Sequence, residues 1–335
     1  MKRLPGRNGF TLLELLAAVA ITLVLAGLML MVVANTLTLW HRTQDNVTAA
    51  SQARLLLDLV ERDLQAAVFR KDGRAWLAVE VVNAPASLTS HGWLVPAAPI
   101  KPSTSESQRL LPAQAGGPAP SISAARFGLS GAWLRFITTN VESGGSLPVA
   151  VAYQIARRPV SGAIVATSPA EVRYTLFRSA ISPANTLSAG NDVTVPAYDS
   201  TSGSPAGSRS PATMTNPNNS DALATNVVDF GIWLYVRDTA TGELRRVFPA
   251  DNSDLVHVAR DTGAAPDANR FPAVADVLVR ILTEEGATRL AQIESGSGRV
   301  TRPSGHATDA EWWWAVVEAN SRVYTRRIEL KGEAL

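Results

Sequence analysis

The side chains in this chain most suggestive of chemistry are carboxylates, and the least expected of them is Glu14. It stands in the run from Phe10 to Val33, whose other polar side chains are Thr11 and Thr22. A carboxylate in hydrocarbon costs something like 2.5 kcal/mol or more unless it meets a partner, so its presence there points to a function. The plainer alternative is that Glu14 lies close enough to a membrane surface to reach headgroups and water. Further on, Asp261-Thr262-Gly263-Ala264 matches the aspartic-protease fingerprint in letters. That chemistry needs two such carboxylates sharing a proton, and one copy is present, so a surface turn is expected. Asp251-Asn252-Ser253-Asp254, with Asp261 and Asp267 nearby, offers oxygen ligands of the kind calcium takes. The stretch lacks the glycine and terminal glutamate of an EF-hand, and a solvated acidic loop is the expectation.

Other routes to chemistry are thinner. His41, His91, His257 and His306 are scattered, with no pair at helix-ligand spacing, and the chain has no cysteine. Disulfides, thiolate metal sites and a cysteine nucleophile are thereby excluded. No nucleophile elbow, Walker loop or dinucleotide fingerprint occurs in a strand-to-helix context. The reading is of a chain that is no enzyme, with no cofactor and no metal. The formal charge of +2 becomes −1 without Lys2, Arg3 and Arg7, and no basic run exceeds Arg245-Arg246 or Arg326-Arg327, so no nucleic acid partner is expected. Trp312-Trp313-Trp314 would suit a sugar or membrane platform, but three consecutive aromatics on a strand cannot share one face, which favours core packing.

The elements that must position Glu14 are legible. The 24 residues from Phe10 to Val33 would make a helix of about 36 Å, enough to cross a hydrocarbon core of about 30 Å. The span is too long for the apolar part of a cleaved secretory signal, the weaker alternative. Lys2, Arg3 and Arg7 precede it and Trp40, His41 and Arg42 follow, so the leader should stay in the cytoplasm and the bulk should be exported. Trp40, Val47, Ala50, Ala53, Leu57, Val60, Leu64 and Ala67 then predict an amphipathic continuation, with Asp72-Gly73 as its stop. A coiled-coil partner competes for the same stripe, although the pattern covers only about four heptads.

Beyond it, short valine- and aromatic-rich runs predict strands over Trp76 to Val82, Ala132 to Thr138, Val149 to Ile155, Glu171 to Phe177, Val227 to Val236 and Val274 to Leu282, with Glu311 to Leu330 in one or two pieces. The fold class expected is α+β: a long N-terminal helix packed on an antiparallel β-sheet domain. Two stretches biased to Pro, Ser, Gly, Ala, Thr and Asn, Pro99 to Ala125 and Ser182 to Asp221, read as loops or flexible insertions.

The string Gly9-Phe10-Thr11-Leu12-Leu13-Glu14, after a short basic leader and before the apolar run, resembles the prepilin processing motif of type IV pilins and pseudopilins. The resemblance implies a pilin-like fold, cleavage after Gly9 by a prepilin peptidase, and methylation of the new amino terminus at Phe10. It divides the chain into a leader at 1–9, a transmembrane and assembly helix at 10–34, an amphipathic spine helix at 35–71 and a periplasmic β-rich domain at 72–335. It also implies a single-pass inner-membrane protein, its N-terminus cytoplasmic and its domain periplasmic, extracted into a periplasmic fibre on assembly. Phe10, Thr11 and Glu14 would serve that assembly. In a filament the Glu14 carboxylate can pair with the Phe10 ammonium of a neighbouring subunit, each cancelling the other's desolvation cost and penalising wrong axial registers.

Ala53 to Gln65, Val227 to Asp238, Phe271 to Val274 and Val323 to Leu330 resemble, more weakly, the minor pseudopilin called J of type II secretion; the length and insertions are also similar to Verru_Chthon cassette protein C. The J resemblance implies a subunit at or near the fibre tip, joined to other pseudopilins through its helix. The alternatives are a minor type IV pilus or competence pilin, and a membrane-anchored exported binding domain outside any fibre.

Overall fold

The computed structural model describes residues 11–82, 131–139, 147–159, 172–198, 209–215, 217–248, 256–260, 269–294, 302–306 and 309–330. The chain falls into two units, Met1–Thr48 and Ala49–Leu335. Helix α1 (Leu12–Gln65) provides the described part of the first unit and runs on into the second. Inside the second unit Ala49, Ala53, Leu56, Leu57, Val60 and Leu64 recur every three or four residues, which puts them on one face, and all are buried. Val47 and Ala50, expected on that face, are exposed. The helix also ends at Gln65, short of residue 71. There the Val68 N–H donates to the Ile137 carbonyl at 2.9 Å and Ala67 bridges Thr138, so pairing with a strand replaces the next helical turn. Asp72-Gly73 forms a turn instead. Gly73 takes φ 77°, and Asp72 accepts from the Arg74 N–H and the Trp76 indole.

The fold is α+β, with every described strand pairing antiparallel. Strands β1 (Leu77–Val82), β2 (Gly131–Thr138), β3 (Val149–Pro159), β4 (Val172–Ala180), β5 (Ala222–Thr225) and β8 (Val256–Ala259) form a six-stranded sheet in the order β5-β4-β3-β2-β1-β8. Strands β6 (Val227–Arg237), β7 (Leu244–Phe248), β9 (Val274–Leu282) and β10 (Ser321–Glu329) form a second sheet in the order β10-β9-β6-β7. Asn226, at φ 62°, joins β5 to β6 and takes the chain from one sheet to the other. Asparagine tolerates that left-handed conformation better than most residues. In β6 the alternate residues Phe230, Ile232, Leu234 and Val236 are buried, and Phe230 meets Tyr153 of β3 with ring centroids 6.2 Å apart. The six-stranded sheet thus lies against the inner face of the four-stranded one.

The other face of the six-stranded sheet is covered as well. Val149 to Ile155 is buried residue after residue, the pattern of a strand enclosed on both sides. The cover comes from residues 182–198 and 209–215, within the second of the two biased stretches. Helix α2 (Pro183–Ala189) starts at Ser182, whose hydroxyl accepts from the Asn185 N–H, and has proline in its first turn. Trp133 and Gln154 both donate to the Met214 carbonyl, at 2.9 and 2.7 Å. Val193, Tyr198 and Met214 are buried. The described part of this stretch is packed structure and not the loop expected for it: its prolines and serines are spent on helix starts and short 3₁₀ turns. Pro99 to Ala125 lies outside the described residues.

The tryptophan triplet corrects another expectation. Asp309–Ala319 is helix α4, with strand β10 following it. Consecutive helical residues fan over about 200°, so burial of Trp312, Trp313 and Trp314 together requires cover from several sides. Helix α3 (Glu284–Glu294) packs along α4, while Tyr174 meets Trp313 edge-on at 6.1 Å. The core-packing reading of the triplet holds; its strand assignment does not. Beta propensity of the aromatics was overridden by burial available to a helix.

Candidate functional site

The described N-terminal segment begins at Thr11. Its hydroxyl accepts from the Glu14 N–H at 3.3 Å, and the Glu14 carboxylate accepts from the Thr11 N–H at 2.9 Å and the Thr11 hydroxyl at 3.0 Å. These reciprocal bonds form a capping box, which satisfies helix-start donors that have no partner within the helix. Glu14 is therefore oriented at the very start of α1, although it remains exposed in the single chain. Gly9 and Phe10 lie outside the described residues.

From Leu12 to Leu37 the helix has a mean hydropathy of 2.8 and is long and apolar enough to cross a membrane. Its large side chains stand open along all sides, with Leu12 at 79% and Met29 at 74% exposure. Threonine hydroxyls within and just after it bond to the carbonyl four residues back: Thr22 to Ala18, Thr36 to Val32 and Thr43 to Leu39, at 2.8 to 2.9 Å. A hydroxyl satisfied by its own helix needs no water, which is what hydrocarbon surroundings demand.

Residues 4–30 match the family described as the prokaryotic N-terminal methylation motif. The chain has a prepilin-type N-terminus. That supports a place in the type IV pilin superfamily and implies a structural subunit. It is also consistent with processing by a prepilin peptidase, assembly with other pilins and a membrane anchor. No curated protein and no solved structure matches the chain.

The second polar centre went unread in the sequence. Asp63, fully buried on the inward face of α1, accepts from the Tyr153 hydroxyl at 2.5 Å and from Arg178 Nε and Nη2 at 2.7 and 3.1 Å. Its backbone carbonyl accepts from the Thr138 hydroxyl. One residue of the helix thus touches β2, β3 and β4. Burial, and then the Asp63 charge, push the Tyr153 phenol well above its ordinary value. Burial works against the Arg178 cation, but its bonds to Asp63 outweigh that and hold it charged more firmly than usual. The signal for Asp63 was its spacing, three residues after Val60 and seven after Leu56, both inward positions.

On the opposite flank of the same helix stretch, Arg326 Nη1 of β10 donates to Asp58 at 2.5 Å and to Glu61 at 2.7 Å. Next to it in sequence, Arg327 forms a two-pronged bond to Asp276, directly across the β9–β10 ladder, with both distances 2.7 Å. Those bonds hold the Asp276 carboxyl below its usual range.

The described histidines do not come together. His257 is buried in β8, His306 lies in the 302–306 segment, His41 belongs to α1, and His91 is outside the described residues. Asp251 to Asp254, Asp261 to Ala264 and Asp267 also lie outside them. Among the described residues no group of three histidine, aspartate or glutamate side chains could hold a metal ion.

Proposed function

We propose that this chain is a non-enzymatic, pilin-like subunit that a prepilin peptidase cuts after Gly9, that is methylated on Phe10, and that enters a fibre through its N-terminal helix. The observation that carries the reading is the match of residues 4–30 to the N-terminal methylation motif, with Glu14 inside it. Before assembly the helix lies in the inner membrane, with the leader in the cytoplasm and the β-rich domain in the periplasm. In the fibre Glu14, already oriented by Thr11, meets the Phe10 ammonium of an adjacent subunit. The weaker likeness over residues 53–65, 227–238, 271–274 and 323–330 favours the role of minor pseudopilin J in type II secretion, at or near the tip of a pseudopilus, with other pseudopilins as partners.

Intact-mass and N-terminal peptide spectrometry of the protein from its native membranes tests this. The expected mature chain begins with N-methylated Phe10. A chain that begins at Met1, or one cut after residue 33, would return the protein to the anchored or secreted classes.

A further inference from the structure

The inward stripe of α1 is apolar but nearly self-similar. A slide of four residues carries Ala49 onto Ala53, Leu56 onto Val60 and Val60 onto Leu64. Such a slide moves the helix by about 6 Å and keeps an apolar side chain at those three positions, although it brings Gln52 to the Leu56 position, and the reverse slide brings Glu61 to the Leu57 position. Hydrophobic burial is non-directional and so penalises such registers at single positions only. The polar contacts discriminate sharply. In place of Asp63, a one-turn slide would offer Leu59 or Ala67 to Arg178 and Tyr153, and a one-residue rotation would offer Arg62 or Leu64. None of these supplies a carboxylate, and Arg178, whose side chain is only 11% exposed, would be left as a buried cation without its partner. Asp58 and Glu61 cannot substitute, because Arg326 holds both from the other sheet.

We propose that Asp63, Arg178 and Tyr153 are a register lock. They fix the rotation and axial position of the α1 segment Ala49–Gln65 on the six-stranded sheet, and Arg326 checks the same register from β10. A catalytic role does not suit this cluster: Asp63 and Tyr153 are both fully buried. The lock decides which helix face stays outward, the one bearing Ser51, Arg54, Leu55, Asp58 and Arg62. That face is where neighbouring subunits would pack, so the consequence for assembly rests on the proposed pilin-like role, while the lock itself does not.

The absence of cysteine allows a clean test on the full chain in detergent micelles. Spin labels on cysteines placed at Leu55 and Leu187, both exposed, report one distance between helix and domain. The unsubstituted background is expected to give a single narrow distribution. The all-apolar variant Asp63→Leu/Arg178→Met/Tyr153→Phe is expected to give a broadened or split one, with populations displaced by about 6 Å, the length of a four-residue slide. Retention of the native narrow distribution would overturn the lock. Should that triple variant not fold, Asp63→Asn decides in the same way: a second population supports the lock, and an unchanged single distance overturns it. The readout does not involve the N-terminus, so failure of processing at Gly9 leaves this result standing on its own.

Discussion

Asp63 and Tyr153, ninety residues apart in sequence, share a 2.5 Å hydrogen bond at a point that neither side chain exposes to solvent. With Arg178 they form a charged centre inside a contact between helix and sheet that is built mainly from apolar side chains. Removing one member of a buried ion pair strands the other.

Asp63→Ala is therefore expected to destabilise the domain by about 3–5 kcal/mol. Arg178→Lys keeps the charge but loses the two-pronged geometry, and should cost less. Urea unfolding followed by tryptophan fluorescence measures both. An Asp63→Ala chain as stable as the original would mean that the centre contributes specificity alone.

Stability should also fall at alkaline pH. The folded-state value of the Tyr153 phenol is raised above its unfolded value of about 10. Below about pH 10 both states are protonated and the contribution is fully present. Above it the unfolded chain releases a proton that the folded chain retains, so stability is lost as pH rises toward the folded value. Tyr198, pushed up to about 12 by burial, acts in the same direction. Melting temperatures at about pH 9 and pH 11 should fall further for the original chain than for Tyr153→Phe. Equal falls would count against this account.

Gly286 lies where α3 meets the end of α4. A Cβ there would come 2.5 Å from the Asn320 Cβ and 3.0 Å from its carbonyl oxygen. Gly286→Ala must push the two helices apart and is expected to cost about 1–3 kcal/mol, as overpacking does. Gly305→Ala, with nothing within 4 Å, should be close to neutral. Thermal melts of the two variants side by side settle the comparison.

If the Phe10–Glu14 pairing operates between subunits, Glu14→Ala should still be processed and inserted. Its incorporation into sheared fibres should fall about tenfold, the ratio that 1.4 kcal/mol represents. Immunoblots of fibre and membrane fractions, beside a major subunit, report it. Undiminished incorporation would remove the role given to Glu14.

The sequence spoke clearly wherever one periodicity ruled. Val274 to Leu282 became β9 with the expected ends, because β-branched Val277, Val279 and Ile281 alternate there with no competing helical period. The inward stripe from Ala53 to Leu64 was legible by the same logic, as was the apolar helix that carries Glu14. Strands β5, β7 and β8 were missed, being four or five residues long, too short for alternation to register. Asp63 was passed over because a charge on an amphipathic helix is ordinarily sorted to the wet side. Its partners, Tyr153 and Arg178, lie on strands that only tertiary folding brings near.

The cover that residues 182–198 and 209–215 place over Trp133 and Gln154 bears on how this chain can be shortened. Composition marks the stretch as a linker to be trimmed. Cutting it out would strip the six-stranded sheet of its outer layer and present Trp133, beside strand β3, to other copies. A truncated protein should then be lost to aggregation in the cell, with its helix, its N-terminal motif and its inner core all still in place.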